Sequence, residues 1–220
     1  MDVARGFLTS TIGKKVVMAA SGVILVGFVV AHMVGNLQIY LGAEVLNHYS
    51  VFLHELVHGA GLWIARAVLL TAVGLHIWAA TSLTLADRAA RPVGYREWQA
   101  SESTYASRTM RWSGVILFFF VGYHLLDLTL GPVNPSFEPG NVYHNVVASF
   151  RVVPVAAFYI VAMLLLGMHL HHGVWSMLRT LGLSHPRYDR LAHTIAAAVA
   201  AVVVIGNISF PVAVLVGIVR

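Results

Sequence analysis

Five long apolar runs constrain this chain more than any other feature of it. They extend over about residues 16–41, 62–85, 110–130, 153–178 and 192–219. Each is at least as long as the ~20 residues that cross a hydrocarbon core of ~30 Å at ~1.5 Å per residue. No run alternates apolar and polar residues, and an open strand would leave its peptide groups unpaired in lipid, so each is expected to be a helix. One such run alone would suit a buried helix of a water-soluble domain. Five in 220 residues do not: 58% of the residues are hydrophobic and only 10% charged, which leaves too little polar surface to enclose such a core. The expected fold is therefore an all-α membrane protein, one integral domain over 1–220, with the first four of five transmembrane helices in an up-down bundle.

Lysine and arginine orient the spans. Arg5, Lys14, Lys15, Arg88, Arg91, Arg96, Arg108, Arg111, Arg179, Arg187 and Arg190 fall on one side; Arg66, Arg151 and Arg220 fall on the other. Eleven against three predicts a cytoplasmic amino terminus and an external carboxyl terminus in a bacterial inner membrane. The net charge of +5 is then a matter of topology, and no nucleic-acid partner is expected. The first run is too long for a signal-peptide core and lacks an A-x-A-like site after it, so no cleaved leader is expected. The Arg- and Glu-rich loop from Asp87 to Ser107 reads as a cytoplasmic docking surface. Its flanking aromatics Tyr95, Trp98, Tyr105 and Trp112 read first as interfacial anchors. The segment from Gly131 to Asn145, with Pro132, Pro135, Pro139 and Gly140, reads as an ordered turn or loop outside. No internal repeat is expected, and no low-complexity tract beyond the Ala/Val run of the fifth span.

Histidine is the unusual residue: there are 12, and no cysteine. The missing thiols exclude iron–sulfur ligation and c-type haem attachment within the chain. An imidazole inside a bilayer span is a functional candidate by default. Spans one to four carry His32, His76, His124 and the group His169, His171, His172; the apolar part of the fifth span has none. Counted from the nearest basic residue of the cytoplasmic side, His32 and His124 lie roughly 25 and 20 Å deep, and His76 and His169 roughly 18 and 15 Å. In an up-down bundle, helices one and three are diagonal neighbours, as are two and four. The histidines therefore sort into an outer pair, His32 with His124, and an inner pair, His76 with His169.

Two imidazoles at matched depth across a bundle are the ligand set of bis-histidine haem b, and two pairs imply two haems. Gly27 and Gly35 near His32, Gly74 near His76 and Gly122 near His124 suit a flat macrocycle, though glycine also serves close helix packing in membranes. His172 shares a helix face with His169 and is the alternative ligand. A zinc site from the H-x-H-H string lacks any accompanying carboxylate or thiol.

Several strings resemble one family: H-M-V-G-N-L (His32 to Leu37), N-H-Y-S-V-F-L-H-E-L (Asn47 to Leu56), W-I-A-R-A-V-L-L (Trp63 to Leu70), L-H-I-W-A-A-T-S-L (Leu75 to Leu83) and H-x-x-H-G-V-W-S-M-L-R-T-L-G (His169 to Gly182). Together they look like the single-chain, five-helix diheme cytochrome b anchor of succinate dehydrogenases and fumarate reductases. The resemblance implies an electron-transfer subunit holding an iron–sulfur subunit and a flavoprotein on the cytoplasmic face. Electrons pass through FAD and iron–sulfur clusters of those partners, then through two haems b, to a quinone, with menaquinone expected. It also implies the ligands His32, His76, His124 and His169, the last supported by Gly173 four residues on.

The resemblance further implies quinone chemistry near the outer haem, with an acidic residue at the outer start of span two. Glu55, flanked by His54 and His58, lies where that residue would be; a solvated loop is the competing reading. Some relatives carry a glutamate two residues before the fourth ligand, and here that position is Gly167. Nothing resembles a dinucleotide-binding turn, so the dehydrogenase site would belong to a partner. The alternatives are a haem b quinol-oxidising anchor of another membrane oxidoreductase, and a haemless anchor or proton-conducting membrane protein.

Overall fold

The computed structural model describes residues 3–90, 105–183 and 185–220. Among these the chain is helical, with no strand. The helices are α1 (Val3–Thr9), α2 (Thr11–Asn36), α3 (Ala43–Glu55), α4 (Ala60–Ala89), α5 (Tyr105–Leu128), α6 (Val142–Arg151), α7 (Val153–Thr180) and α8 (Pro186–Leu215). A 3₁₀ turn over Leu37–Leu41 extends α2. Five are long and apolar enough to cross a bilayer: α2 with its extension, α4, α5 from Thr109, α7 and α8. Most of the Asp87–Ser107 loop, including Arg91, Tyr95, Arg96 and Trp98, lies outside the described residues.

The fifth span is displaced from its expected limits, and its two ends explain why. Pro186 sits in the first turn, where its missing N–H costs nothing, and His185 Nδ1 accepts from Arg187 N at 3.1 Å. At the other end Gly217 takes a left-handed φ of 77°. Ile218 N then donates to Ala213 O at 2.8 Å and Gly217 N to Val214 O at 3.1 Å, a Schellman closure that stops the helix at Leu215 rather than 219.

Two expected loops are partly helical. Glu55, for which a solvated loop was the competing reading, closes the helix α3 with His54, and His58 follows in the turn before α4. The turn after Gly131 gives way to α6 at Val142, because the Pro and Gly breakers end at Gly140. Hydropathy misses both helices since each is too short to span. They are tied to one another: Asn141 Oδ1 caps α6 by accepting from His144 N (3.2 Å) and also accepts from Asn47 Nδ2 (3.0 Å). Asn47 Oδ1 in turn accepts from Tyr143 N at 3.0 Å. Asn141→Ala is expected to cost about 1 kcal/mol, the usual worth of an N-cap. Thermal unfolding in detergent checks this, and an unchanged midpoint would show that the cap contributes nothing.

Packing sets the order of the bundle. α2 packs on α4 and on α7, α5 packs on α7, and α8 lies outside against α7 and touches α2. Among the described residues α4 and α5 share no comparable seam; an exposed ion pair, Arg111 to Asp87 at 3.5 Å, links their arginine-rich ends. The diagonals are therefore α2 with α5 and α4 with α7. The main apolar core gathers at the arginine-poor end, where Leu46 of α3 and Val147 and Phe150 of α6 meet Met33, Phe120, Tyr159 and Phe210. A smaller cluster of Leu170, Ala200 and Val203 joins α7 to α8. Elsewhere the surface is apolar: Leu70, Phe119 and Ile205 are 73%, 68% and 70% exposed. In water each would forgo about 25 cal/mol per Å2 of burial, so only lipid makes such a surface stable.

Candidate functional site

The bundle brings four imidazoles into two facing pairs. His32 of α2 and His124 of α5 have ring centroids 6.0 Å apart, and His76 of α4 and His169 of α7 have theirs 6.3 Å apart. Each pair spans a diagonal whose helices lack a shared seam, so the imidazoles meet across the interior. A ligating imidazole nitrogen lies about 2 Å from its metal and about 1 Å from its own ring centroid, so two rings sharing one metal axially have centroids about 6 Å apart. Both pairs fit that spacing. A β-carbon added at Gly27, Gly74, Gly122 or Gly173 would meet nothing within 4 Å, so there is open space along all four helices. Gly35 differs from this expectation: its face is filled by the Tyr49 ring of α3, so it serves close packing.

The polar groups around each ring assign the nitrogen that bears the proton. Ser21 Oγ lies 2.8 Å from Val17 O and 3.1 Å from Met18 O, and these carbonyls take its one proton, so its oxygen faces His76 Nδ1, 3.2 Å away, as an acceptor. Ser113 donates to Met110 O (3.0 Å) and likewise accepts from His169 Nδ1 at 3.2 Å. Both serines are 2% exposed. With the proton on Nδ1, the lone pair of each inner imidazole is on Nε2. His32 reaches the same state from the other side, because Asn36 Nδ2 donates to its Nε2 at 3.1 Å. Metal ligation there would exchange that bond for a metal bond. The outer imidazoles also rest on phenylalanines one turn below, Phe28 under His32 at 5.3 Å and Phe120 under His124 at 6.0 Å.

These contacts expose an internal repeat, which corrects the expectation of none. The pattern M-x-x-S-G-V-I-L-x-x-F-V-x-x-H runs from Met18 to His32 and again from Met110 to His124. Each copy supplies an outer imidazole, the phenylalanine beneath it and the serine that orients an inner imidazole. The inner histidines follow at nearly the same distance, 44 and 45 residues after the outer ones, in G-L-H at Gly74 to His76 and G-M-H at Gly167 to His169. The repeat was the signal that could have found Ser21 and Ser113. Single small polar residues in a span go unnoticed, and the two copies are separated by two helices and a loop.

The remaining candidates lie elsewhere. His172 is half-buried with its ring 5.6 Å from Trp175, and His171 faces His193 at 6.2 Å, so His169 is the member of that group brought to His76. Among the described residues no three His, Asp or Glu side chains converge as a metal cluster. Glu55 ends α3, and Val57, His58 and Gly59 form a left-handed turn before α4. His54, Glu55 and His58 are all exposed; His54 Nδ1 bonds Ser50 O at 2.8 Å, and among the described residues no hydrogen bond, ion pair or ring contact joins the three to either imidazole pair. A further buried group was not singled out as a site: Asp127, 2% exposed, accepts from Ser149 and Tyr159 beside His124.

Comparison with curated proteins and with solved structures finds no match. A family model does match. It describes the succinate dehydrogenase/fumarate reductase transmembrane subunit and covers residues 87–206, more than half of the chain, including α5, α6, α7 and most of α8. Five membrane-crossing helices and this match together make the chain a multi-pass membrane subunit. It belongs to the succinate dehydrogenase/fumarate reductase transmembrane subunit family.

Proposed function

We propose that this subunit carries two haems b and passes electrons between an iron–sulfur partner and a quinone. The observation that carries the proposal is the pair of inter-imidazole spacings, 6.0 Å and 6.3 Å, on the two diagonals of one bundle. His32 and His124 hold the outer haem, and His76 and His169 the inner. Haem b supplies one-electron transfer at its iron. The chain's own residues do the rest. Ser21 and Ser113 keep Nδ1 protonated so that Nε2 ligates, and the glycines leave room for a macrocycle.

The arginine-rich end faces the cytoplasm, by the distribution of lysine and arginine, and receives the iron–sulfur subunit with its flavoprotein. The clusters belong to those partners, since this chain has no thiolate to offer, and FAD belongs to them by resemblance. The quinone, menaquinone by resemblance, reacts toward the opposite end. There Glu55, with His54 and His58, is placed to exchange protons with solvent.

A dithionite-reduced minus oxidised spectrum of the purified complex, with pyridine haemochrome quantitation, is expected to give two haems b per copy of this chain. A complex without haem would leave an anchor that works by docking alone. Ser21→Ala and Ser113→Ala are each expected to weaken retention of the inner haem by about 10–100-fold while the outer haem stays, as for other residues that orient a metal-binding histidine. Haem loss to apomyoglobin, followed by absorbance, measures this; equal loss of both haems would count against the assigned roles.

A further inference from the structure

Where the two copies of the repeat diverge, a buried carboxylate stands on one side only. The third residue after the outer histidine is Gly35 in the first copy and Asp127 in the second. Asp127 Oδ2 accepts from Ser149 Oγ at 2.6 Å and from the Tyr159 hydroxyl at 2.8 Å. Tyr159 has a single proton, and Asp127 takes it. The phenol oxygen therefore meets His124 Nδ1, 3.4 Å away, only as an acceptor.

We propose that Asp127 and Tyr159 are positioning residues for His124: the carboxylate orients the phenol, and the phenol holds the imidazole proton on Nδ1, leaving Nε2 free to ligate. This rests on the diheme reading and deepens it. A tyrosine released from Asp127 can turn its proton toward Nδ1, which favours the tautomer with hydrogen on Nε2, a nitrogen that then cannot ligate. Acceptance of the Nδ1 proton also raises the basicity of the ligating nitrogen, which favours oxidised iron. Among the described residues His32 has no such carboxylate-backed partner, and His76 and His169 have neutral serines, so the effect is confined to one haem.

The test is a spectroelectrochemical titration of the intact complex carrying Tyr159→Phe, Asp127→Asn or Asp127→Glu. The outer haem is identified as the wave that His32→Leu abolishes. Tyr159→Phe and Asp127→Asn are expected to shift that wave upward by about tenfold in the oxidised-to-reduced ratio, about 59 mV for one electron. The inner wave should stay in place, and Asp127→Glu should return the outer wave toward wild type. If Asp127→Asn fails to assemble, Tyr159→Phe decides alone. An outer wave unmoved in the variants, or both waves moving together, overturns the positioning role while leaving two haems in place. A wild-type complex without haem overturns the diheme reading itself.

Discussion

Replacing His169 by leucine is expected to leave the purified complex with one haem b where the wild type has two, and His76→Leu should lose the same one. Leucine fills similar space but has no lone pair, so a ligand of the proposed haem is lost outright rather than weakened. His169 and His76 face each other at 6.3 Å, and among the described residues neither Nε2 has another partner. His172→Leu is the informative contrast. It lies three residues away on the same helix, but its ring packs on Trp175. Two haems should survive that change. Haem stoichiometry per polypeptide decides the matter, and loss of a haem in His172→Leu with retention in His169→Leu would reverse the ligand assignment.

The second large effect lies in the seam between α7 and α8, at Gly167. A β-carbon there would press on Val204 Cγ2 of α8. Val204 is β-branched, so its side chain has few ways to turn aside. Gly167→Ala is expected to cost roughly 1–3 kcal/mol through overpacking, and Gly167→Glu more, because a charged side chain would also enter the apolar seam. Thermal unfolding of the solubilised complex measures this. Val204→Ala should recover much of the loss in combination with Gly167→Ala, since the β-carbon of Val204 stands at an ordinary 3.8 Å. A Gly167→Ala variant as stable as wild type would show that the seam relaxes freely. The same contact leaves no room for a glutamate side chain at this position, because it packs against another helix.

Much of the architecture was legible in the sequence because it depends on quantities that run along a helix axis. Apolar length determined the five spans. Rise per residue determined the depth of each histidine, and depth together with the diagonals of an up-down bundle sorted His32 with His124 and His76 with His169. The structure brings those same rings together. The helices α3 and α6 were not legible, because span hydropathy is silent about helices too short to cross. The internal repeat is written in the chain, but its two copies lie two helices and a loop apart. Its meaning became apparent once Ser21 and Ser113 were seen making the same contact to an inner histidine.

What the sequence alone determined, then, is class, number of crossings and axial depth, which follow from hydrophobic transfer and a constant rise per residue. What only the tertiary structure decided is azimuth, the direction in which each side chain leaves its helix relative to neighbours. Azimuth selected His169 over His172, turned Gly35 toward Tyr49 and Gly167 toward Val204, and put Asp127 and Tyr159 behind His124. It is set by how helices distant in sequence pack on each other, and no local pattern encodes it.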